Sequence, residues 1–346
     1  MHIPVLLKEV IEYLNPQPDE DFIDATFGEG GHAQEILKLT SPEGRLLGID
    51  LDPSTSLDQA RDKSLRASLG FRLDTGSAYL KASEPLVPRS SSSEVGLSWS
   101  GIEPEPFDKL RASLSKDFQG RLFLENENFA EIENFSKQYF PDGVDGVLFD
   151  FGFRSFHIDE SGRGFSYTKD EPLDMRYSYR SETSIGGTTA ADIVNGWSEN
   201  ELERIFKEFG EERDSRKIAK AITEARKHRR ILTTKELVMV IDGVVLGYRV
   251  KTYSRIFQAL RIAVNNELEN IKKGLEGAWK ILKPNGRLVV ISFHSLEDRI
   301  VKNFFNEKKE LNEGVVLTKK PVIATEEEVT ANTRSRSAKL RAIKKK

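Results

Sequence analysis

The 346-residue chain carries 52 Lys and Arg against 55 Asp and Glu, a net charge of −3, and is 38% hydrophobic. That composition supports a sizeable core and excludes global disorder, while the near balance of charge leaves any nucleic-acid or membrane signal to local placement. The lack of cysteine excludes disulfides, thiolate nucleophiles and iron–sulfur clusters, the five histidines show no metal spacing, and no apolar run approaches the roughly 18 residues of a membrane span, so the expectation is a metal-free, cytoplasmic protein of about two domains.

In chain order, Val5, Leu6, Val10, Ile11 and Leu14 form the apolar stripe of a first helix. Short apolar runs at 22–26, 45–51, 121–125, 144–151 and 287–293 read as strands. Continuous runs such as Val147-Leu148-Phe149 and Leu288-Val289-Val290-Ile291 suit strands covered on both faces, hence a parallel sheet. Residues 54–117 interrupt the pattern with seven serines between Lys81 and Ser100 and several prolines, and read as a poorly ordered surface insertion. Residues 155–252 form a second interruption with few strand signals, whose clearest helices are 197–210 and 213–230. A further helical stripe joins Ile262, Leu268, Ile271, Leu275, Ala278 and Leu282, before a helix stop and tight turn lead into the last strand. Alternation of strands and helices predicts a doubly wound α/β fold. Its first part is 1–154, an inserted helical domain spans 155–252, and a second part, 253–346, closes on a basic tail.

The chemistry concentrates after the first strand, at Asp24-Ala25-Thr26-Phe27-Gly28-Glu29-Gly30-Gly31-His32. Glycines there let the backbone turn sharply and approach a ligand at a helix N-terminus. Twenty residues after Gly30, at the end of the second strand, Asp50 is placed to accept two hydrogen bonds from a ribose diol. Gly28-x-Gly30-x-x-Ala33 also satisfies the dinucleotide fingerprint, so NAD stays in play. Two details favour S-adenosylmethionine: Asp24 suits a cationic amino-acid end better than a pyrophosphate, and the late turn-and-strand unit is common in methyltransferases.

Seven ordered blocks carry a resemblance. They are His2-x-Pro4-Val5-Leu6-Leu7, the glycine loop, Arg163-Gly164-Phe165-Ser166, Pro172-Leu173-Asp174-Met175-Arg176, Gly210-Glu211-Glu212-Arg213, Phe257-Gln258-Ala259-Leu260-Arg261-Ile262, and Ile291-Ser292-Phe293-His294-Ser295-Leu296-Glu297-Asp298-Arg299. From His2 to Arg341 the chain resembles the bacterial 16S ribosomal RNA cytosine-N4 methyltransferases of the MraW type. The resemblance implies a class I, Rossmann-like methyltransferase sheet with an inserted helical domain. It also implies S-adenosylmethionine as donor, and a cytidine in the decoding region of the small ribosomal subunit as substrate. Carried over by motif, the cofactor contacts are Gly30, Gly31, His32, Asp50, Phe129, Asp150 and His157, with Phe129 against adenine. Where the family reads Asp-Leu-Gly-Val-Ser-Ser-x-Gln, this chain reads Asp150-Phe151-Gly152-Phe153-Arg154-Ser155-Phe156-His157. A histidine in place of glutamine makes that hydrogen bond dependent on tautomer.

The chemistry asks for acceptors of the N4–H bonds, and Asp150, His157 and Asp174 are the candidates in that order. Arg163, Phe165, Arg176, Arg213, Arg261 and His294 are the expected substrate contacts. Two basic stretches offer RNA contact: 213–230, with eight Lys or Arg against Asp214 and Glu224, and 331–346, with seven and no acid. A protein that binds the RNA without transferring a methyl group is the rival reading.

Overall fold

The computed structural model describes residues 4–51, 114, 116–151, 162–177, 187–247 and 249–346. All fall in one compact unit, Met1–Asp52 with Leu114–Lys346. The second unit, Pro53–Ser113, lies outside the described residues, and with it nearly all of the expected insertion.

The sheet forms as the apolar runs require. Strands β1 (Phe22–Asp24), β2 (Leu46–Ile49), β3 (Leu122–Glu125), β4 (Val144–Asp150) and β5 (Leu282–Ser292) are parallel, and with β6 (Gly314–Val316) and β7 (Lys339–Lys345) the order is β3-β2-β1-β4-β5-β7-β6. Alternate residues feed opposite faces, as the period of two dictates. Ile23, Leu47, Val147 and Leu288 enter one apolar cluster; Phe22, Leu46, Leu148 and Val289 enter another. Helices α1 (Leu7–Leu14) and α2 (Gly31–Leu39) cover the second face. The first is covered by α3 (Ile132–Tyr139), α9 (Glu267–Ile281) and α10 (Ser295–Glu310). This is the expected doubly wound α/β sheet, Rossmann-like.

The last two strands correct the sequence reading. The basic 331–346 segment is no free tail: β7 (Lys339–Lys345) lies antiparallel between β5 and β6 (Gly314–Val316), and Leu340, Ala342 and Ile343 are fully buried. Flanking lysines mask an interior strand whose one buried charge, Arg341, is neutralised by a bidentate pair with Asp298 (2.7 and 3.1 Å). A second correction concerns the Ile262–Leu282 stripe, which is not one helix. Helix α8 (Val250–Asn265) ends at Asn266, whose φ of 51° is left-handed, and α9 starts afresh. The turn before the last strand becomes a bulge inside β5, since Val144 pairs with Leu282 but Gly146 with Arg287.

Helices α4 (Ala190–Gly196), α5 (Glu199–Glu208), α6 (Ser215–His228) and α7 (Thr234–Asp242) pack with α8 around a third cluster, from Phe165 to Val264. Reciprocal capping boxes start three of them, Thr189 with Asp192, Ser198 with Glu201 and Thr233 with Glu236. The box at Ser198 explains why α5 excludes Trp197. Helix α8 runs unbroken through Thr252, and its Ile256, Phe257, Ala259, Leu260, Ala263 and Val264 belong to the helical cluster.

Candidate functional site

Parallel strands deliver their carboxyl ends to one edge, and three acidic residues follow from that geometry. Asp24 and Asp150 close β1 and β4, and Asp50 directly follows β2. Because β2, β1 and β4 are neighbours, the three stand in a row across about 10 Å at the usual strand spacing. Backbone bonds fix each of them. Thr26 N–H donates to Asp24 Oδ1 (3.2 Å), Gly28 N–H to Asp50 Oδ2 (3.0 Å), and Asp150 N–H to Thr26 Oγ1 (2.6 Å).

The glycine loop requires its glycines. Gly30 has φ 73°, and a Cβ there would stand 2.7 Å from the Phe27 ring and 2.8 Å from Leu114. At Gly31 a Cβ would stand 2.4 Å from Pro4 Cγ, so the segment entering α1 forms the floor of the loop. His32 continues that floor. Its Nε2 lies 3.0 Å from the Val5 carbonyl oxygen, which only accepts, so Nε2 carries the proton. Nδ1 then faces the Asp150 carboxylate at 3.9 Å, becoming an ion-pair partner only when the ring is doubly protonated. Phe129, in the 3-10 turn after β3, is half-buried and packs on Phe149 and Phe151 with ring centroids 5.6 and 5.7 Å away. Loop, floor, carboxylates and ring together suit a ligand with an adenine, a ribose diol and a cationic end; a pyrophosphate would meet three carboxylates. His157, Phe153 and Arg154 lie outside the described residues.

The segment 163–177 is a tightly braced turn. Arg163 is buried and donates to the carbonyl oxygens of Arg176 (3.0 Å) and Tyr177 (2.9 Å), and Phe165 stacks on Tyr177. Asp174 is held by Arg176 through two bonds (2.7 and 2.8 Å). Between them Met175 takes φ 61°, costly for a side chain that is fully buried. Asn265, at the end of α8, holds this conformation. Its Oδ1 accepts from Tyr177 N–H (2.9 Å), and its Nδ2 donates to Met175 O (2.8 Å) and Arg261 O (2.9 Å).

Arg261 binds Glu267 through both oxygens (2.8 and 3.1 Å), and Tyr177 donates its hydroxyl to the same carboxylate (2.7 Å). Burial opposes the Arg261 charge, but Glu267, with Tyr177 and Glu297, outweighs it and holds the guanidinium above its usual range. Burial also raises the Tyr177 phenol well above its ordinary 10.0, with Glu267 adding to the rise and Arg261 opposing it. His294, just past β5, brings its ring beside Glu267 and Glu297, the three donor atoms lying within 4.8 Å of one another. Its Nε2 is 3.0 Å from Glu297 Oε1 without the alignment of a hydrogen bond. Glu297 is itself anchored by the amides of Phe293 (2.7 Å) and His294 (3.2 Å).

The structure thus gathers Gly30, Gly31, His32, Asp50 and Asp150 at one edge of the sheet, and Arg163, Phe165, Asp174 and Arg176 in one braced turn. Arg261 and His294 share a buried ionic cluster, and Arg213 is exposed just before α6. Sequence reasoning quoted Thr26 and Glu297 within motifs without giving them a role, and missed Asn265 and Glu267. The run Asn265-Asn266-Glu267 between two apolar stripes was the available signal for the latter two.

Comparison with known proteins adds a second line. The description "MraW methylase family" matches residues 1–75 and 99–346. A "Ribosomal RNA small subunit methyltransferase H" from Dictyoglomus thermophilum is 41% identical over 342 residues, covering 99% of this chain and 95% of the relative. Proteins of the same name from Geobacter sulfurreducens and Acidobacterium capsulatum are 40% identical over 363 residues and 39% over 349. These alignments cover 99% and 100% of this chain, and 98% of each relative.

Proposed function

This chain belongs to the MraW methylase family, and from that premise we propose that it methylates the N4 amine of a cytidine in 16S ribosomal RNA. It is an S-adenosylmethionine-dependent ribosomal RNA methyltransferase; the N4 position rests on the seven motif blocks and their resemblance. The observation that carries the reading is the row of Asp50, Asp24 and Asp150 around a glycine turn at the carboxyl edge of the sheet. A substrate inside the small subunit assigns the enzyme to the cytoplasm, and no helix among the described residues is long and apolar enough to cross a membrane.

When bound, the cofactor supplies a methyl group on a sulfonium. Asp50 takes the ribose diol, Asp24 the cationic amino-acid end, and Phe129 offers a ring to adenine. Gly30 and Gly31 keep the backbone low enough for close approach, and His32 holds the loop to its floor. His157 completes the contacts by resemblance.

The amine is the harder partner, because the cytosine N4 lone pair is delocalised into the ring. The protein must accept hydrogen bonds from N4–H and keep the nitrogen in line. Such positioning contributes up to about 7–11 kcal/mol in favourable cases. Asp150 is the first acceptor, held by Thr26 at the end of its strand; His157 is the second, and Asp174, already paired with Arg176, the third. Arg163, Phe165, Arg176, Arg261 and His294 shape the receiving side, and Arg213 meets the RNA.

The deciding experiment transfers labelled methyl from S-adenosylmethionine to unmodified small subunits, followed by nucleoside analysis. N4-methylcytidine is the expected product. Label in any other nucleoside refutes the position, and none at all, with the cofactor bound, favours the RNA-binding assembly factor.

A further inference from the structure

An enzyme of net charge −3 that acts on RNA needs a place where cations are concentrated and not already used by the fold. Of the two basic stretches, the C-terminal one gives three of its cations to the sheet. Arg341 is buried on Asp298, Lys339 approaches the same carboxylate, and Lys345 Nζ donates to the carbonyl oxygens of Trp279 and Leu282 (2.7 Å each). The other stretch is disposed differently. Ser215, Ile218, Ala219, Ile222 and Thr223 bury one side of α6 in the helical cluster, which turns Arg216, Lys217, Lys220 and Lys227 outward. Lys217 and Lys227 make exposed pairs with Asp214 and Glu224. Arg213, Arg216 and Lys220 are exposed and make no ion pair among the described residues.

The stripe is also anchored to the reaction edge. Glu211, two residues before Arg213, accepts from Ser295 Oγ (2.7 Å) and pairs with Arg299 (2.9 Å). Ser295 follows His294 at the end of β5, beside the strand that carries Asp150. The cations therefore begin next to the site and run outward. From Arg216 to Lys227 they extend about 17 Å along the helix, room for several backbone phosphates.

We propose that the outward face of α6, with Arg213, Arg216 and Lys220 as its unpaired cations, is the surface along which the ribosomal RNA backbone runs as it leaves the reaction edge. This rests on the functional reading above. Its contacts are phosphate contacts, so they position the RNA without reading its sequence.

The test is the salt dependence of binding to unmodified small ribosomal subunits by the full chain, for wild type and for Arg216→Gln/Lys220→Gln. Neither side chain braces the fold, so the melting curve should not change. Losing two phosphate contacts should flatten the plot of log affinity against log salt by about 1.4–1.8, equivalent to roughly 25-fold or more at 0.1 M salt, with the curves converging near 1 M. The control Lys302→Gln/Lys309→Gln, on exposed positions of α10, should leave the slope unchanged. An unchanged slope in the α6 variant, or an equal loss in the control, overturns the surface while leaving the enzyme's function standing. Failure of the wild type to bind the unmodified subunits overturns the functional reading, and the surface with it.

Discussion

Replacing Ile343 by Ala tests whether the basic C-terminal segment is a strand of the core. Ile343 is fully buried and packs with the residues of α9 and α10. Truncating such a side chain costs about 2–5 kcal/mol, a large share of the roughly 5–15 kcal/mol that holds a domain together. With a urea dependence of about 2 kcal/mol per molar, the midpoint should fall by about 1–2.5 M. The charge on the same strand gives an independent reading. Arg341→Met leaves Asp298 largely buried, with Lys339 at 3.9 Å as its one remaining cation among the described residues, and should cost about 3–5 kcal/mol. Adding Asp298→Leu should recover most of that loss, because the uncompensated charge is what destabilises. The assay is equilibrium urea unfolding followed by tryptophan fluorescence. An unchanged midpoint for Ile343→Ala, or an Arg341→Met defect that Asp298→Leu fails to relieve, refutes the interior strand.

Asn265→Ala should destabilise by about 2–4 kcal/mol, since it leaves the Tyr177 amide and the Met175 carbonyl without their partner; it should also lower methyl transfer more than cofactor affinity, read by calorimetry beside a turnover assay. Asp50→Ala removes the ribose acceptor and the partner of Gly28 N–H, and should weaken S-adenosylmethionine binding by about 10- to 100-fold at one charged hydrogen bond's worth of energy. The Tyr177 phenol is raised in the folded chain, so the unfolded chain ionises first; its contribution to stability should be flat in pH below 10 and fall as pH rises beyond it. Tyr139 and Tyr253 are raised as well, so Tyr177→Phe should reduce the alkaline slope without abolishing it, and a slope identical to wild type would show that Tyr177 does not contribute.

Five of the sheet's strands were legible because apolar runs covered on both faces leave an uninterrupted signal. Strand β7 was not, because Arg341 can be buried only against Asp298, a partner 43 positions away that no local pattern reveals. The break at Asn266 was hidden in the same way: the stripes of α8 and α9 continue one another in register, and only the left-handed residue between them separates two helices. At the site, glycines and the spaced aspartates announced themselves, since their chemistry is local to each strand end. The roles of Asn265, Glu267 and Glu297 were not legible, because they act through residues brought near by the packing of α8, α9 and α10 on the sheet. Arg163 and Phe165 were legible as important but not in their manner of acting, which the structure shows to include bracing a turn.

The floor under the glycine loop has a thermodynamic consequence. Pro4 fills the space beneath Gly31, Val5 accepts from His32, and Leu6, itself at φ 52°, donates its amide to Glu328 on helix α11 (Glu326–Ala331). The loop is therefore ordered by its own neighbours before any cofactor arrives. Association then loses little conformational entropy in the protein, and calorimetry should record a heat-capacity change that reflects buried adenine and little else.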